Sequence, residues 1–161
     1  MRWLIAIPAL LLVGGCSLLR APPAPTFNEH AVALAAPGES YLALSGGACP
    51  QSCPEYEIFV FESGRVVFIG KQHTRTLGVV ERQTTTAAYF DLRKLLTVRR
   101  AFSRRLHMGC LGERREFDVG AVQGTRVRAG RLSYGCFNQV DDLDAITEEF
   151  IRIADAAALI Q

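Results

Sequence analysis

The sequence predicts an α+β domain in which two helices pack on one face of an antiparallel β-sheet. Three observations predict this fold class. Short apolar stretches are separated by turns that contain glycine, a pattern typical of β-hairpins. Two longer stretches, near 87–99 and 140–157, space their apolar residues by three and four, as helices with one buried face do. The order of hairpin, strand and helix occurs in both halves of the domain.

The first half contains four expected strands and one helix. The strands are expected at residues 41–44, 56–61, 65–69 and 77–80. Ser63-Gly64 is a turn signal that joins the second and third strands into a hairpin, and Gly70 ends this hairpin. Threonines 84–86 offer N-cap side chains for a helix from Ala87 to about Arg99. The apolar residues on its buried side are expected to be Tyr89, Leu92, Leu95 and Leu96.

The second half repeats this plan in its layout, without sequence identity to the first. We expect strands at 115–119 and 125–129, joined by a turn at Gln123-Gly124, and a third segment at 131–134. A C-terminal helix follows, and its buried side is expected to contain Val140, Leu143, Ile146, Phe150, Ile153 and Ala157. The chain of 161 residues has the length of one domain.

The N-terminus has the parts of a bacterial lipoprotein signal peptide. Arg2 supplies a positive charge, and residues 3–13 form an apolar run that is too short to cross a bilayer as a mature helix. Gly14-Gly15 then precede Cys16. This end resembles the lipobox, whose cysteine is acylated and becomes the mature N-terminus. The alternative is an ordinary secretory peptide with a chance cysteine.

Acylation of Cys16 would anchor the chain, because two or three acyl chains bury enough CH₂ groups for stable membrane binding. Ser17 follows, where an aspartate would resemble the signal for retention in the inner membrane. We therefore expect an outer-membrane lipoprotein that faces the periplasm. The expected division is a signal peptide at 1–15, a lipidated, proline-rich tether at 16–39 and a single domain at 40–161. Within the tether, residues 27–35 either form a short helix or dock loosely.

Charge and motifs limit the kinds of function to be expected. The formal net charge of +2 falls to +1 once the leader with Arg2 is removed. A nearly neutral chain offers no bulk electrostatic reason to expect nucleic acid as a partner. The sequence also lacks Gly-x-Ser-x-Gly, phosphate-loop and His-Glu-x-x-His motifs. We therefore expect no catalytic residue, no cofactor and no metal, and a domain that binds an envelope protein or ligand.

The residues Cys49-Pro50-Gln51-Ser52-Cys53-Pro54-Glu55-Tyr56 directly precede the clearest strand of the sequence. This Cys-x-x-x-Cys-Pro-x-Tyr pattern, followed by a strand, Gly64, a second strand and Gly70, resembles the bacterial domain-of-unknown-function 6438 family. The resemblance extends from about Leu42 to Ile153. The resemblance implies a secreted or lipid-anchored domain of this size, and it implies no particular activity. The motif residues that it marks are Pro54, Tyr56, Gly64 and Gly70.

Four cysteines remain in an oxidising compartment once Cys16 is acylated, and four cysteines allow three disulfide pairings. We favour Cys49–Cys53, because a local loop closes easily and the family signature keeps this pair. The other pair would then be Cys110–Cys136, which ties the start of the second hairpin to its end. The loop of 25 residues between them would stabilise the fold by about 3–4 kcal/mol in the chain-entropy model.

Two other kinds of site compete with structural disulfides. A thioredoxin-type redox site has two residues between its cysteines at a helix N-terminus, whereas three residues separate Cys49 from Cys53 and a strand follows. A zinc site would combine cysteines with His107, three residues before Cys110. The spacing lacks a paired Cys-x-x-Cys module, and disulfides would consume the ligands. Both sites stay alternatives to the structural interpretation.

A basic cluster follows the first helix and consists of Arg99, Arg100, Arg104 and Arg105. Cations at a helix C-terminus interact favourably with the helix dipole, and this is the interpretation that we prefer. The alternative is contact with an anionic surface of the envelope, such as lipid headgroups or cell-wall carboxylates.

Overall fold

The described part of the chain contains six strands and three helices. The structure, a computed structural model, describes residues 34–47, 52–102, 116–124, 126–133 and 140–161. The elements are β1 (Tyr41–Gly46), β2 (Glu55–Phe61), β3 (Arg65–Gln72), β4 (Gly78–Gln83), α1 (Thr86–Val98), β5 (Glu116–Gln123), β6 (Arg126–Ser133), α2 (Val140–Ile153) and α3 (Ala157–Ile160). All strand pairs are antiparallel, which confirms the predicted α+β class. No helix in these ranges is long and apolar enough to cross a membrane.

The strand order β4-β3-β2-β1-β5-β6 places the first strand of the sequence inside the sheet. β1 pairs with β2 on one side and with β5 on the other, so that Leu44 lies opposite both Ile58 and Val119. The hairpins β2–β3 and β5–β6 are therefore joined through β1. Its side chains are buried along almost its whole length, because it has neighbours on both sides.

Helices α1 and α2 pack on the same face of the sheet, here called the helix face. The Thr85 side chain caps α1 and accepts a hydrogen bond from the Ala88 N–H at 3.2 Å. The core on the helix face contains, from the sheet, Leu42, Leu44, Tyr56, Ile58, Val60, Val66, Phe68, Phe117, Val119 and Ala121. From the two helices it contains Tyr89, Leu92, Leu96, Ile146, Phe150 and Ile153. The three-four spacing in the sequence predicted these helical positions. Leu95, which was also predicted, is half-buried, whereas the prediction for Ala157 is wrong, because Ala157 is exposed and begins α3.

The opposite side of the sheet, here called the second face, is also apolar. Successive residues of a strand point to opposite sides, so the central strands contribute to both faces. The second face consists of Tyr41, Ala43, Phe59, Phe61, Val67 and Ile69, all of them buried. Leu34 and Ala35, which precede β1, pack against it together with Val122 of β5. The strands β1 to β3 are therefore apolar on both sides, as strands covered on two faces are.

Several strands extend beyond the prediction. β1 continues to Gly46, β3 passes Gly70, which was predicted to end the hairpin, and ends at Gln72, and β5 continues to Gln123. β4 continues to Gln83, beyond the predicted segment 77–80, because an exposed edge strand accommodates polar side chains. Residues 131–133, predicted as part of a separate segment, continue β6 and pair with β5 as far as Ser133. The second half is thus one long hairpin followed by a helix.

Helices α1 and α2 end in the same backbone motif. At the end of α1, the Arg100 N–H donates to the Thr97 carbonyl at 3.1 Å. The Ala101 N–H donates to the Leu96 carbonyl at 2.9 Å. Arg100 has φ 51°, and Asp155 occupies the equivalent position after α2 with φ 47°. This is the Schellman motif. A residue in the left-handed region, usually glycine, positions backbone N–H groups so that they donate to carbonyls of the last helical turn.

Candidate functional site

The predicted Cys–Pro motif leads into β2 at one end of the sheet. Cys53 and Pro54 are half-buried, and β2 begins at Glu55. Cys53 is a disulfide cysteine, and its partner sulfur lies outside the described residues. Because a strand follows Cys53, its sulfur is not at a helix N-terminus, the position that lowers the thiol pKa in thioredoxin-type sites.

Tyr56 anchors the motif in the core on the helix face. Its buried ring stacks on Phe68, with centroids 6.0 Å apart, and meets Phe117 edge-on at 6.5 Å. Gly46 makes room for Tyr56 and Phe117, because a Cβ at this position would lie 3.3 Å from each ring. With Tyr56 fixed on the helix face, the next residue, Glu57, is directed to the second face.

Glu57 is a buried carboxylate with one unpartnered oxygen. The Lys71 Nζ on β3 donates to Glu57 Oε1 at 2.5 Å. Glu57 is 3% exposed, whereas the Lys71 side chain is 40% exposed. The other oxygen, Oε2, is buried and has no hydrogen-bond partner among the residues described. A buried polar atom left unpaired costs about 1–3 kcal/mol, which favours a role for Glu57 other than stability.

The Glu57–Lys71 pair lies where the β-ladder is irregular. A bulge between Glu55 and Tyr56 shifts the register of β2 against β3, and bulges are frequent next to functional sites. In the strand register, Glu57 lies between Ile69 of β3 and Ser45 of β1. We define the motif corner as Cys53, Pro54, Glu57 and Lys71.

The motif corner can both accept and donate hydrogen bonds. Glu57 Oε2 is an acceptor, and the ammonium group of Lys71 supplies N–H donors. A ligand would reach the carboxylate from the side of Lys71, the more exposed partner. In the part of the chain that the structure describes, which includes one of the five cysteines, no group of three or more His, Cys, Asp or Glu residues could hold a metal ion.

The motif glycines shape the β2–β3 hairpin and its connection to β4. Gly64 has φ 85°, in the left-handed region that favours glycine, and a Cβ here would lie 2.6 Å from the Thr84 carbonyl oxygen. A Cβ at Gly70 would lie 1.9 Å from the Thr76 carbonyl oxygen. Both glycines therefore permit close backbone approach and carry no chemistry of their own.

The basic cluster is described only in part. Arg99 and Arg100 lie at the exposed end of α1, and Arg104 and Arg105 lie outside the described residues. The outer side of α1 has a shallow groove of about 240 Å³ lined by Phe90, Arg93, Lys94, Thr97 and Val98. Phe90 and Val98 are 45% and 68% exposed. Cations beside exposed apolar groups suit contact with an anionic membrane surface.

The other predicted cysteines lie outside the described residues: Cys16, Cys49, Cys110 and Cys136. Acylation and the favoured disulfide pairing therefore stay predictions. Of the residues that the structure adds to the site, Glu57 had a signal in the sequence, since it alternates with Phe59 and Phe61 in a strand that is apolar on both sides. Lys71 had no such signal, because its contact depends on the register of β2 against β3.

Part of the chain matches a known protein family. Residues 40–105 match the model of a family described as "Domain of unknown function (DUF6438)". The matched region contains β1 to β4, α1 and the whole motif corner, and it ends before β5. No curated protein matches the chain.

Proposed function

Because residues 40–105 match the domain-of-unknown-function 6438 family, whose description assigns no activity, we propose a function from the site itself. The protein is a lipid-anchored component of the bacterial cell envelope that binds a partner and catalyses no reaction. The observation that carries the binding function is Oε2 of Glu57, which is buried beside Lys71 and has no hydrogen-bond partner in the part of the chain that the structure describes. The anchor rests on the sequence around Cys16.

The Glu57–Lys71 pair suits recognition of a hydrogen-bond donor. A hydrogen bond to a shielded carboxylate is stronger than the same bond in bulk water. Lys71 already neutralises the charge of Glu57, so the matching ligand group is a neutral donor, a hydroxyl or an amide N–H. The glycan and peptide polymers of a bacterial cell wall are rich in both groups. They lie within reach of a protein anchored in the envelope.

Membrane contact would come from two parts of the chain. The acyl chains on Cys16 would supply the stable attachment. The basic end of α1, with Arg99 and Arg100, would add attraction to anionic headgroups, as juxtamembrane cations do. This second contribution is worth about 1 kcal/mol per cation near the surface and falls with salt.

Intact-mass measurement of protein extracted from membranes tests the anchor. We expect a mature chain that begins at Cys16 and carries two or three acyl chains. A Cys16→Ser variant that is still exported should leave the membrane fraction. A mature chain that retains residues 1–15 or carries no acyl group would contradict the anchor.

Co-sedimentation tests binding at the motif corner. The exported Cys16→Ser form is mixed with insoluble cell-wall material or with anionic vesicles and centrifuged. We expect the fraction bound to cell wall to fall several-fold in Glu57→Gln and to be unchanged in Glu81→Gln, whose side chain is exposed on β4. Far-UV circular dichroism verifies that both variants fold. An unsubstituted chain that sediments with neither material would overturn the binding function.

The second candidate is a thiol-active envelope protein that uses Cys49 and Cys53. The observation in its favour is that Cys53 takes part in a disulfide. This candidate requires a reactive thiol after mild reduction, and loss of disulfide reduction or isomerisation in Cys53→Ser. A metal-binding module, the third candidate, requires stoichiometric zinc or copper in the purified protein.

A further inference from the structure

The side of α1 that faces away from the sheet combines apolar and positively charged residues. Phe90, Lys94 and Val98 follow one another at intervals of four, so they form one row along the helix. The ring of Phe90 meets the buried Tyr89 ring edge-on, with centroids 5.2 Å apart, which holds it at the surface. Arg93 lines the shallow groove together with this row, so two cations flank the exposed apolar groups.

Two exposed cations of β6 extend this surface. Arg128 lies opposite Ala121 of β5, which belongs to the core on the helix face. Arg128 therefore points to the helix face, and so does Arg126, two residues earlier in the strand. The end of α1 lies directly on this strand, because a Cβ added at Gly130 would collide with the Ala101 carbonyl oxygen. The combined surface, here called the α1–β6 surface, consists of Phe90, Arg93, Lys94, Val98, Arg126 and Arg128.

Asp91, the acidic residue next to Phe90, lies toward α2. A hydrogen bond to the Glu149 carboxylate, and in addition the charge of Asp91, raise the pKa of Arg152, which belongs to α2. Glu148 is also exposed on α2. The outer side of α2 therefore mixes both signs of charge, whereas the α1–β6 surface carries positive charge alone.

We propose that the α1–β6 surface lies on an anionic membrane surface, with Phe90 inserted among the lipid headgroups. Its four cations complement the negative charge of such a surface. Cations beside an exposed phenylalanine are the composition of helices that lie in a membrane interface. A soluble polyanion would match the cations but not Phe90 and Val98, so the apolar groups favour lipid. This inference deepens the membrane contact of the proposed function and rests on it.

The contact sets the orientation of the domain. Helix α1 packs on the helix face, whereas Glu57 is directed to the second face. The sheet therefore lies between the membrane and the motif corner. Glu57 and Lys71 face away from the membrane, toward the cell-wall polymers that they are proposed to bind.

Two single-tryptophan variants test both the contact and the orientation. Phe90→Trp places the probe on the α1–β6 surface. Val79→Trp places it on the second face at the opposite edge of the sheet, because Val79 is 53% exposed on β4 and pairs with Ile69. Both are made in the exported Cys16→Ser form with Trp3→Phe, so that each chain has one tryptophan and no acyl group.

We expect phosphatidylglycerol vesicles to shift the emission of Phe90→Trp to the blue, and brominated acyl chains in these vesicles to quench it. Val79→Trp should respond to neither, and phosphatidylcholine vesicles should affect neither variant. Far-UV circular dichroism verifies that both variants fold. Equal responses of the two variants, or no response of Phe90→Trp, would overturn the proposal.

A charge-matched pair of variants tests the cations. Each cation near an anionic surface contributes about fivefold to partitioning, so Arg93→Gln/Lys94→Gln should lower partitioning into phosphatidylglycerol vesicles by about 25-fold. Arg75→Gln/Arg82→Gln removes the same charge from exposed residues of the β3–β4 hairpin and should have a much smaller effect. Equal losses in the two double variants would show that net charge alone drives binding, and would overturn the proposal.

Phe90→Ser distinguishes a membrane-contact surface from a general site for anions. We expect several-fold weaker partitioning into phosphatidylglycerol vesicles and unchanged binding to polyglutamate, a soluble polyanion. Partitioning as strong as that of the unsubstituted chain would overturn the insertion of Phe90. Co-sedimentation with cell wall depends on Glu57 and should be the same in all these variants, so a failure of this inference is distinguishable from a failure of the motif corner.

Discussion

Lys71 Nζ lies 2.5 Å from Glu57 Oε1, and the two residues differ sharply in their access to solvent. The ammonium group belongs to a side chain that is 40% exposed, and the carboxylate to one that is 4% exposed. Among the described contacts, Lys71 is therefore the charged group that pairs with this carboxylate, and it is also the group that solvent reaches. This asymmetry makes the stability and the binding role of the pair separable by mutation.

Removal of Lys71 alone should destabilise the fold. Lys71→Met leaves the Glu57 carboxylate buried, and no other described residue then donates a hydrogen bond to either oxygen. We therefore expect the free energy of unfolding to fall by about 1–3 kcal/mol. The double variant Glu57→Leu/Lys71→Met should recover most of this loss, because both charges are gone. Urea unfolding followed by circular dichroism measures both. Arg82→Met, which removes an exposed pair with Asp155, serves as control and should change stability by less than about 0.5 kcal/mol.

Alanine at Gly70 should be far more disruptive than alanine at Gly78. The added Cβ at Gly70 would lie 1.9 Å from the Thr76 carbonyl oxygen, so backbone must move, at a cost of about 3 kcal/mol. Gly78 has φ 88° with open space around it, so alanine there meets only backbone strain of about 1–2 kcal/mol. Thermal and urea unfolding of the two variants compare their losses of stability. Equal losses would mean that the approach of Thr76 to β3 is not rigid.

Glycine at Arg100 should stabilise the domain. Arg100 is in the left-handed region, where an L-residue costs about 1–2 kcal/mol relative to glycine, so Arg100→Gly should raise the free energy of unfolding by about 1 kcal/mol. Arg99 has φ −79°, and Arg99→Gly should lower it by a similar amount. Anionic-vesicle binding by the same variants checks the surface contact separately. If the cluster contacts membranes, binding falls in both, whatever the change in stability.

Acid should weaken the attachment of residues 34–39. Burial acts to raise the pKa of Glu39, but hydrogen bonds from Ser63 and the Ala36 N–H, together with the Arg65 cation, hold this pKa below its ordinary value of 4.5. A carboxyl with a lowered folded pKa stabilises the fold above its unfolded pKa, and this contribution is lost as the pH falls through the folded pKa.

The free energy of unfolding should therefore decline below about pH 4.5, and Glu39→Gln should flatten the decline. Glu149→Gln is the control. The pKa of Glu149 is also lowered, first by a hydrogen bond from the arginine three residues later, but that pair lies on an exposed helix surface and is worth little. Unfolding curves at several pH values compare the variants. If the free energy of unfolding declines equally with pH in Glu39→Gln and in the unsubstituted chain, Glu39 does not contribute to the acid sensitivity.

Local features of the fold could be predicted from the sequence, and long-range pairing could not. The limits of α1 were predicted within one residue. The N-cap at Thr85 and the spacing of Leu92 and Leu96 are local features, which can be read from neighbouring residues of the sequence. The interior position of β1 depends on the pairing of Leu44 with Val119, residues that no local pattern connects. The continuation of β6 beyond Ala129 depends in the same way on its partner strand.

In the candidate site, too, local features could be predicted from the sequence and long-range contacts could not. The Cys–Pro–Tyr pattern leads into the motif corner, because Tyr56 follows the alternation of β2 and enters the core. The sequence favoured a structural role for this stretch. The alternation of Glu57 with Phe59 and Phe61 was a signal, but it did not show that this side of β2 is covered. The sequence did not show that Glu57 is buried. An acidic residue on the solvent side of a strand is common, and it becomes notable only when that side is covered.

The interior position of β1 also has a consequence for the order of folding. A chain is synthesised and emerges from its N-terminus, so β1 is complete long before β5, its second neighbour. The edge of β1 that later pairs with residues 117–122 remains open while β2 to β4 and α1 form. An open strand edge is a template for pairing with another chain, and closure over so many residues is slow. Between the emergence of β1 and that of β5, this protein is therefore exposed to strand pairing with another chain through β1.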